Sequence, residues 1–202
     1  GNAAVLNLTP FRQLSAPRQR QLLSAWMKGE DLYRPAFDMV QRLFDEVIES
    51  KVDAQAALHW NQFYYVRYQQ QLFRVSKAEY LAEQFQTIES IEQRFSLDQA
   101  YALASGKFRI ETQKYGLSSA LLEQPLQIKP RLGGEKLHLY GRVGAWPLKK
   151  AIQSAQIFPW QRHTIQILSI DNVMLGVFTP KGFWLVESAY CEVGGWQPNL
   201  IA

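Results

Sequence analysis

The sequence predicts an α+β chain: a helical domain with a small antiparallel sheet, followed by a compact β-rich domain with one main helix. Three observations predict it. Apolar residues recur at steps of three and four between residues 35 and 50; aromatic and β-branched runs separated by short polar turns occupy 57–75; and beyond residue 125 short strand-like runs alternate with Gly and Asn turns. The 202 residues, 47% hydrophobic and 20% charged, have a globular composition and are enough for one large or two small domains. Disorder of the whole chain is thereby excluded. Arg, Lys, Glu or Gln breaks every hydrophobic run short of the roughly 18 residues that a spanning helix needs, so no membrane partner is expected.

Ser15 is placed to cap a helix carrying Pro17, Leu22, Leu23, Trp26 and Met27, with Gly29 to end it. In the next helix, over 35–50, Phe37, Val40, Phe44, Val47 and Ile48 form one face, and Arg42, Asp45, Glu46 and Glu49 the other. Residues 57–60, 63–68 and 72–75 read as a small β-meander with a turn at Asn61-Gln62. Residues 76–90 are helix-like and acidic, and Phe108 and Ile110 alternate with polar neighbours over 107–112 as a half-buried strand does. Pro125 disfavours helix at the residue before it, so a helix through Leu121 and Leu122 stops there, which sets the expected domains at 1–124 and 125–202. The second begins with strand 126–129, a Gly133-Gly134 turn, strand 136–140, a loop at 141–144, and a helix opening near Pro147 that carries Leu148, Ile152 and Ala155. Strands at 165–170, 173–178 and 183–187 complete it, the first two joined through Asp171-Asn172. Gly1-Asn2-Ala3 reads as a processed scar on an excised piece.

Charge is unevenly distributed. Residues 1–124 hold 14 basic and 14 acidic side chains, whereas 125–202 hold 8 and 4; between 125 and 162 there are 7 cations and the single acid Glu135. Catalytic equipment is sparse. Neither Gly-Gly pair continues into a GK(S/T) or GxGxxG pattern, so no nucleotide loop is expected, and no paired Cys/His spacing points to a metal. The one cysteine, Cys191, cannot form an intrachain disulfide, which fits a reducing compartment, and a lone Cys among apolar residues reads as a small hydrophobe. What remains is a phosphate-binding pattern: cations at turns and at a helix start, with Tyr140, Trp146 and Trp160 among them. Arg131, Lys136, Arg142, Lys149, Lys150 and Arg162 are the candidate contacts, with Arg67 and Arg74 added from the first half. Trp160, after Pro159, reads as a core plug, and the run 63–68 lacks the glycine of an RNA-recognition motif.

Four segments in order, Arg131-Leu132-Gly133-Gly134-Glu135, Gly141-Arg142, Leu148-Lys149-Lys150 and Phe158-Pro159-Trp160-Gln161-Arg162, resemble the R-x-G-G-E, G-R, L-K-K and P-P-W-x-R motifs of the C-terminal domain of the tRNA(Ile)-lysidine synthetase family. The first half is similar to the same family's central substrate-binding domain through Trp26-Met27-Lys28-Gly29, the helix after Pro35, and the strands from Phe63 to Phe73. Phe158 stands where the family usually has Pro, and His163-Thr164 where an acidic residue and its neighbour are common. The family's S-G-G-x-D-S signature is not among these residues. The resemblance therefore implies the tRNA-binding portion of a cytoplasmic enzyme that ligates lysine to the wobble cytidine of isoleucine tRNA with a CAU anticodon. It implies no cofactor in this portion and no activity for it alone; ATP, magnesium and lysine act on the whole enzyme. The implied partners are that tRNA, the enzyme's own N-terminal catalytic domain and, left open, a second copy in a homodimer. Two rival readings stand beside it: a protein-interaction or docking module of another tRNA-related enzyme, using the aromatic surface, and a small hydrolase using Cys191 or a carboxylate.

Overall fold

The computed structural model describes residues 4–51 and 56–201, so the reading of Gly1-Asn2-Ala3 as a scar lies outside the described residues. The chain divides into two compact units, Gly1–Ala82 and Glu83–Ala202.

The first unit runs β1 (Val5–Asn7), α1 (Leu8–Phe11), α2 (Ala16–Lys28), α3 (Phe37–Arg42), a π-helical continuation (Leu43–Ile48), β2 (Ala57–Trp60), β3 (Phe63–Tyr68), β4 (Gln71–Ser76) and α4 (Lys77–Tyr80). The strands form one antiparallel sheet in the order β1-β4-β3-β2. Alternation puts Leu58, Tyr65 and Leu72 on one face, where Leu23 and Met27 of α2 and Val40, Leu43, Val47 and Ile48 pack against them. The helix over 35–50 forms, and Val40, Val47 and Ile48 of the expected face are buried. Leu43 joins them, Phe44 is half-buried and Phe37 is 70% exposed, and the Glu49 N–H donates to the Phe44 carbonyl in a π turn that closes the helix. Tyr65 hydroxyl donates to the Met27 carbonyl at 3.3 Å, and burial raises its phenol far above the ordinary value.

The expected helix at 76–90 shrinks to two single turns, α4, capped by the Ser76 hydroxyl accepting from the Glu79 N–H at 3.2 Å, and α5 (Ala82–Phe85). Neither turn buries a side chain, so nothing extends the helix further.

The second unit continues with β5 (Ile91–Gln93), β6 (Ala100–Leu103), β7 (Gly106–Leu117), a 3-10 turn (Ser119–Glu123), β8 (Leu126–Pro130), β9 (Lys136–Leu137), β10 (Trp146–Pro147), α6 (Leu148–Ser154), a second 3-10 turn (Pro159–Thr164), β11 (Gln166–Ile170), β12 (Val173–Thr179), β13 (Gly182–Leu185), β14 (Cys191–Val193) and β15 (Trp196–Ile201). A five-stranded sheet is ordered β13-β12-β11-β8-β5, and β7 gathers β6, β14 and β15 into another. Between them lie Phe108, Ile110 and Trp196 against Ile128, Leu168, Ile170, Phe178 and Leu185. On the far face of the five-stranded sheet, Leu148 and Ile152 of α6 cover Ile165, Ile167, Val177 and Val186.

The expected boundary at Gln124-Pro125 falls inside this unit. Pro125 does end the 3-10 turn, with Gln124 extended, yet β5 pairs with β8 and β7 pairs with β14 and β15, which ties 83–124 to the strands beyond residue 125. Strand 136–140 is likewise shorter than expected: only Lys136 and Leu137 pair, with Trp146 and Pro147, and Leu139 makes a single bridge to Val186.

The sheet also requires a missing side chain. A Cβ on Gly176 would lie 2.0 Å from Cζ of Phe183. Gly176→Ala is therefore expected to lower stability by about 1–3 kcal/mol in urea unfolding, and Phe183→Leu in the same chain to recover part of the loss. An unchanged midpoint in the single variant would remove this constraint.

Candidate nucleic-acid interface

The segment from Arg131 to Lys150 is built around one carboxylate. Gly133 and Gly134 take φ of +96° and +86°, open to glycine without strain, and turn the backbone amides of Leu132 and Gly133 inward. Glu135 Oε1 accepts from both, at 2.6 and 2.8 Å, and the Glu135 carbonyl accepts from the Leu148 N–H at 2.9 Å. Burial pushes the Glu135 carboxyl up, but backbone N–H groups and the Arg131 charge outweigh it and hold the group below its ordinary value. The only acid in the basic stretch thus fills the turn, and the same residue ties that turn to the first residue of α6.

This ties most of the predicted cations to one support. Lys136 sits on β9, whose partner strand β10 leads into α6, where Lys149 and Lys150 are exposed. Arg142 lies on the loop between β9 and β10 with its guanidinium 3.9 Å over the Trp146 ring. Arg131 shares a cavity of about 260 Å³ with Gly133 and His163. Arg162, next in sequence to His163, is half-buried, its Nε donating to the Ile157 carbonyl at 3.1 Å. Among the described residues none of these six cations is in a salt bridge; the two that form, Arg12–Glu49 and Arg42–Glu46, belong to the first unit.

Arg67 and Arg74 stand elsewhere, on the helix-bearing face of the first sheet. Arg67 Nη1 donates to the Ile48 carbonyl, which also accepts from Arg12 Nη2 at 3.2 Å, and Arg74 Nη1 donates to the Trp26 carbonyl at 3.4 Å while stacking over Phe63 at 4.8 Å. Each meets the carbonyl end of a helix, where a cation is favoured.

A second cavity, of about 440 Å³, opens beside Arg142. Tyr140, Trp146 and Trp184 are among its walls, together with Ala151 and Ser154 of α6 and Ala155 at its C-cap. Tyr115 stacks on Tyr140 at 4.6 Å and hydrogen-bonds Glu187, which pushes its phenol up to about 12. Trp184 was not singled out by the sequence, because a tryptophan in an alternating strand has the signature of core. Trp160 is buried and stacks on Phe158 at 4.9 Å, as a core plug does. Cys191 Sγ lies 3.4 Å from the Val186 carbonyl and 3.7 Å from Ser188 Oγ. Among the described residues no three His, Cys, Asp or Glu side chains group as metal ligands, and no helix is long and apolar enough to cross a membrane.

Comparison with known proteins gives this arrangement a class. Residues 6–73 match the TilS substrate binding domain and residues 126–191 the TilS substrate C-terminal domain. A tRNA(Ile)-lysidine synthase of Acinetobacter baylyi is 62% identical over 204 residues, covering 100% of this chain and 44% of that protein, and one of Xanthomonas campestris is 29% identical over 174 residues, covering 86% and 38%. The solved structure of a TILS C-terminal domain aligns with 56% of this chain and 99% of its own, at 18% identity and a TM-score of 0.39. The chain belongs to the tRNA(Ile)-lysidine synthase family, through its substrate-binding and C-terminal domains. It spans less than half the length of the curated relatives named here.

The lowered carboxyl pKa of Glu135 makes the turn acid-sensitive. A depressed carboxyl contributes above the ordinary value of 4.5 and loses its contribution as pH falls through its folded pKa. Protection of the Leu132 and Gly133 amides, taken relative to the intrinsic exchange rate at each pH, is expected to fall as the pH drops below the ordinary carboxyl value of 4.5, and in Glu135→Gln to be low at every pH. Equal protection in both proteins at pH 6 would contradict the role given to the carboxylate.

Proposed function

We propose that this chain is the tRNA-holding portion of an enzyme that ligates lysine to the wobble cytidine of isoleucine tRNA with a CAU anticodon. Arg131, Lys136, Arg142, Lys149, Lys150 and Arg162 contact backbone phosphates of the tRNA body and acceptor stem, and shape rather than base edges is read along the duplex. The observation that carries this reading is the set of cations without salt-bridge partners among the described residues, most of them fixed to the turn-and-helix support that Glu135 closes. A charge with no internal partner keeps its full attraction for an external anion. Arg67, Arg74 and Arg162 are weaker contacts, since part of each guanidinium already holds a backbone carbonyl.

ATP, magnesium and lysine act in this reading on the N-terminal catalytic domain of the whole enzyme, in the cytoplasm. The residues here do not fit an ATP–magnesium site: the Gly133 N–H that would face a phosphate is taken by Glu135, and no acidic cluster stands near it among the described residues. A protein-docking use of the first unit is favoured separately by Leu32, Tyr33 and Phe37, each at least 70% exposed.

The test is equilibrium binding of isoleucine tRNA (CAU anticodon), against elongator methionine tRNA, across a salt series. Log affinity is expected to fall linearly with log salt, and each of Arg131→Ala, Arg142→Ala and Lys150→Ala to make the slope shallower by about 0.7–0.9. Unchanged slopes in all three variants would overturn the assignment, and salt-insensitive binding would favour docking through the apolar patch.

A further inference from the structure

Phosphate contacts leave the cavity of about 440 Å³ unexplained, because a charged rim needs no aromatic hollow behind it. We propose that this cavity takes one unpaired nucleotide from the single-stranded 3′ end of a tRNA, with its base among the aromatic rings and its phosphate on Arg142 and Lys150. The proposal rests on the tRNA-holding reading above and adds a site to it.

The volume suits a base with its sugar, within the usual range for small-molecule sites. Ala151 and Ala155 keep the α6 wall short, while Tyr140, Trp146 and Trp184 offer ring faces. A base can stack on such faces whatever its identity. Two of these rings are held in place before any ligand arrives. Tyr140 is backed by Tyr115 at an interplanar angle of 18°, and its N–H donates to the Leu185 carbonyl at 3.0 Å; Trp146 pairs with Leu137 across the β9–β10 ladder. Preorganised rings lose little freedom when a base enters.

The polar groups suit a nucleotide rather than an apolar ligand. The Arg142 guanidinium carbon lies 3.9 Å over the Trp146 ring and, among the described residues, the side chain has neither a hydrogen bond nor an ion pair, so its N–H donors are free for a phosphate. Gln197 Nε2 is engaged with the Tyr115 carbonyl at 2.7 Å, which fixes the amide in the wall. No carboxylate lines the cavity among the described residues, and Lys150 lies four residues before Ser154, on the turn of α6 next to the lining. A strand end is the part of a tRNA that enters a closed hollow most easily, since no base pair has to open first.

The experiment compares an intact isoleucine tRNA with the same tRNA trimmed of its single-stranded 3′ nucleotides, using this full chain, and AMP as a competitor. Trimming is expected to weaken binding by about 5-fold to 150-fold, the range for one stacked base, without changing the salt slope by more than the phosphates removed. In Trp184→Ala the intact tRNA should already bind that much more weakly, and trimming should have no further effect; Trp184→Phe should restore the sensitivity. Should Trp184→Ala fail to fold, Tyr140→Ala, at a half-exposed position, carries the same expectation. Equal affinity for intact and trimmed tRNA, with the steep salt dependence preserved, overturns the pocket assignment and leaves the tRNA-holding reading standing. AMP binding that Trp184→Ala abolishes, with no effect of trimming, overturns the strand-end assignment in favour of a free nucleotide. No tRNA binding at low salt overturns both.

Discussion

Strand β11 is apolar or buried along its whole length, Gln166 to Ile170, and has to be covered on both faces. That requirement organises the second unit. One face takes the sheet around β7, with Trp196 and Phe108 at the contact; the other takes α6 through Leu148 and Ile152. A helix of seven residues has little stability alone, so α6 exists because it covers that face. Its outward side is then free to be cationic. Glu135 completes the arrangement by tying the Gly133-Gly134 turn to Leu148, so the exposed cations on and beside α6 stand on a supported surface rather than on a floppy loop.

Arginines in the two units differ in what their donors meet. Arg67, Arg74 and Arg12 donate to carbonyls at the ends of α2 and of the π-helical segment, while Tyr65 supplies a further donor from the sheet. Those carbonyls would otherwise be orphaned at the helix ends. In the second unit Lys136, Lys149 and Lys150 are exposed and, among the described residues, without salt bridges, and the guanidinium of Arg142 meets an indole face in place of an acceptor. Arg162 is the exception, its Nε donating to the Ile157 carbonyl as the first-unit arginines do to theirs.

Periodicity made much of this legible. The strands at 57–60, 63–68 and 126–129, the helix after Pro147 and the Asp171-Asn172 turn were readable because each depends on local spacing or on residues that tolerate positive φ. What stayed hidden was non-local. Nothing near Ile91 shows that it pairs with Ile128, nor near Lys107 that it pairs with Ile201, so the pairing that ties 83–124 to the strands beyond Pro125 could not be read. The π turn at Leu43–Ile48 hid for another reason, since both helical registers of that segment offer an apolar stripe and packing against the sheet selects one. At the candidate interface the basic cluster was visible as composition, whereas the helix-capping roles of Arg67 and Arg74 and the cavity wall at Trp184 depend on contacts that only folding creates.

The most direct measurement is lysine reactivity by mass spectrometry, on the free chain and on its complex with isoleucine tRNA at low salt. Lys136, Lys149 and Lys150 are expected to lose reactivity toward an acylating reagent in the complex, while the exposed Lys77 of the first unit keeps it. Protection centred on Lys77, with Lys149 and Lys150 reacting as in the free chain, would contradict the placement of the RNA on the surface that Glu135 and α6 build.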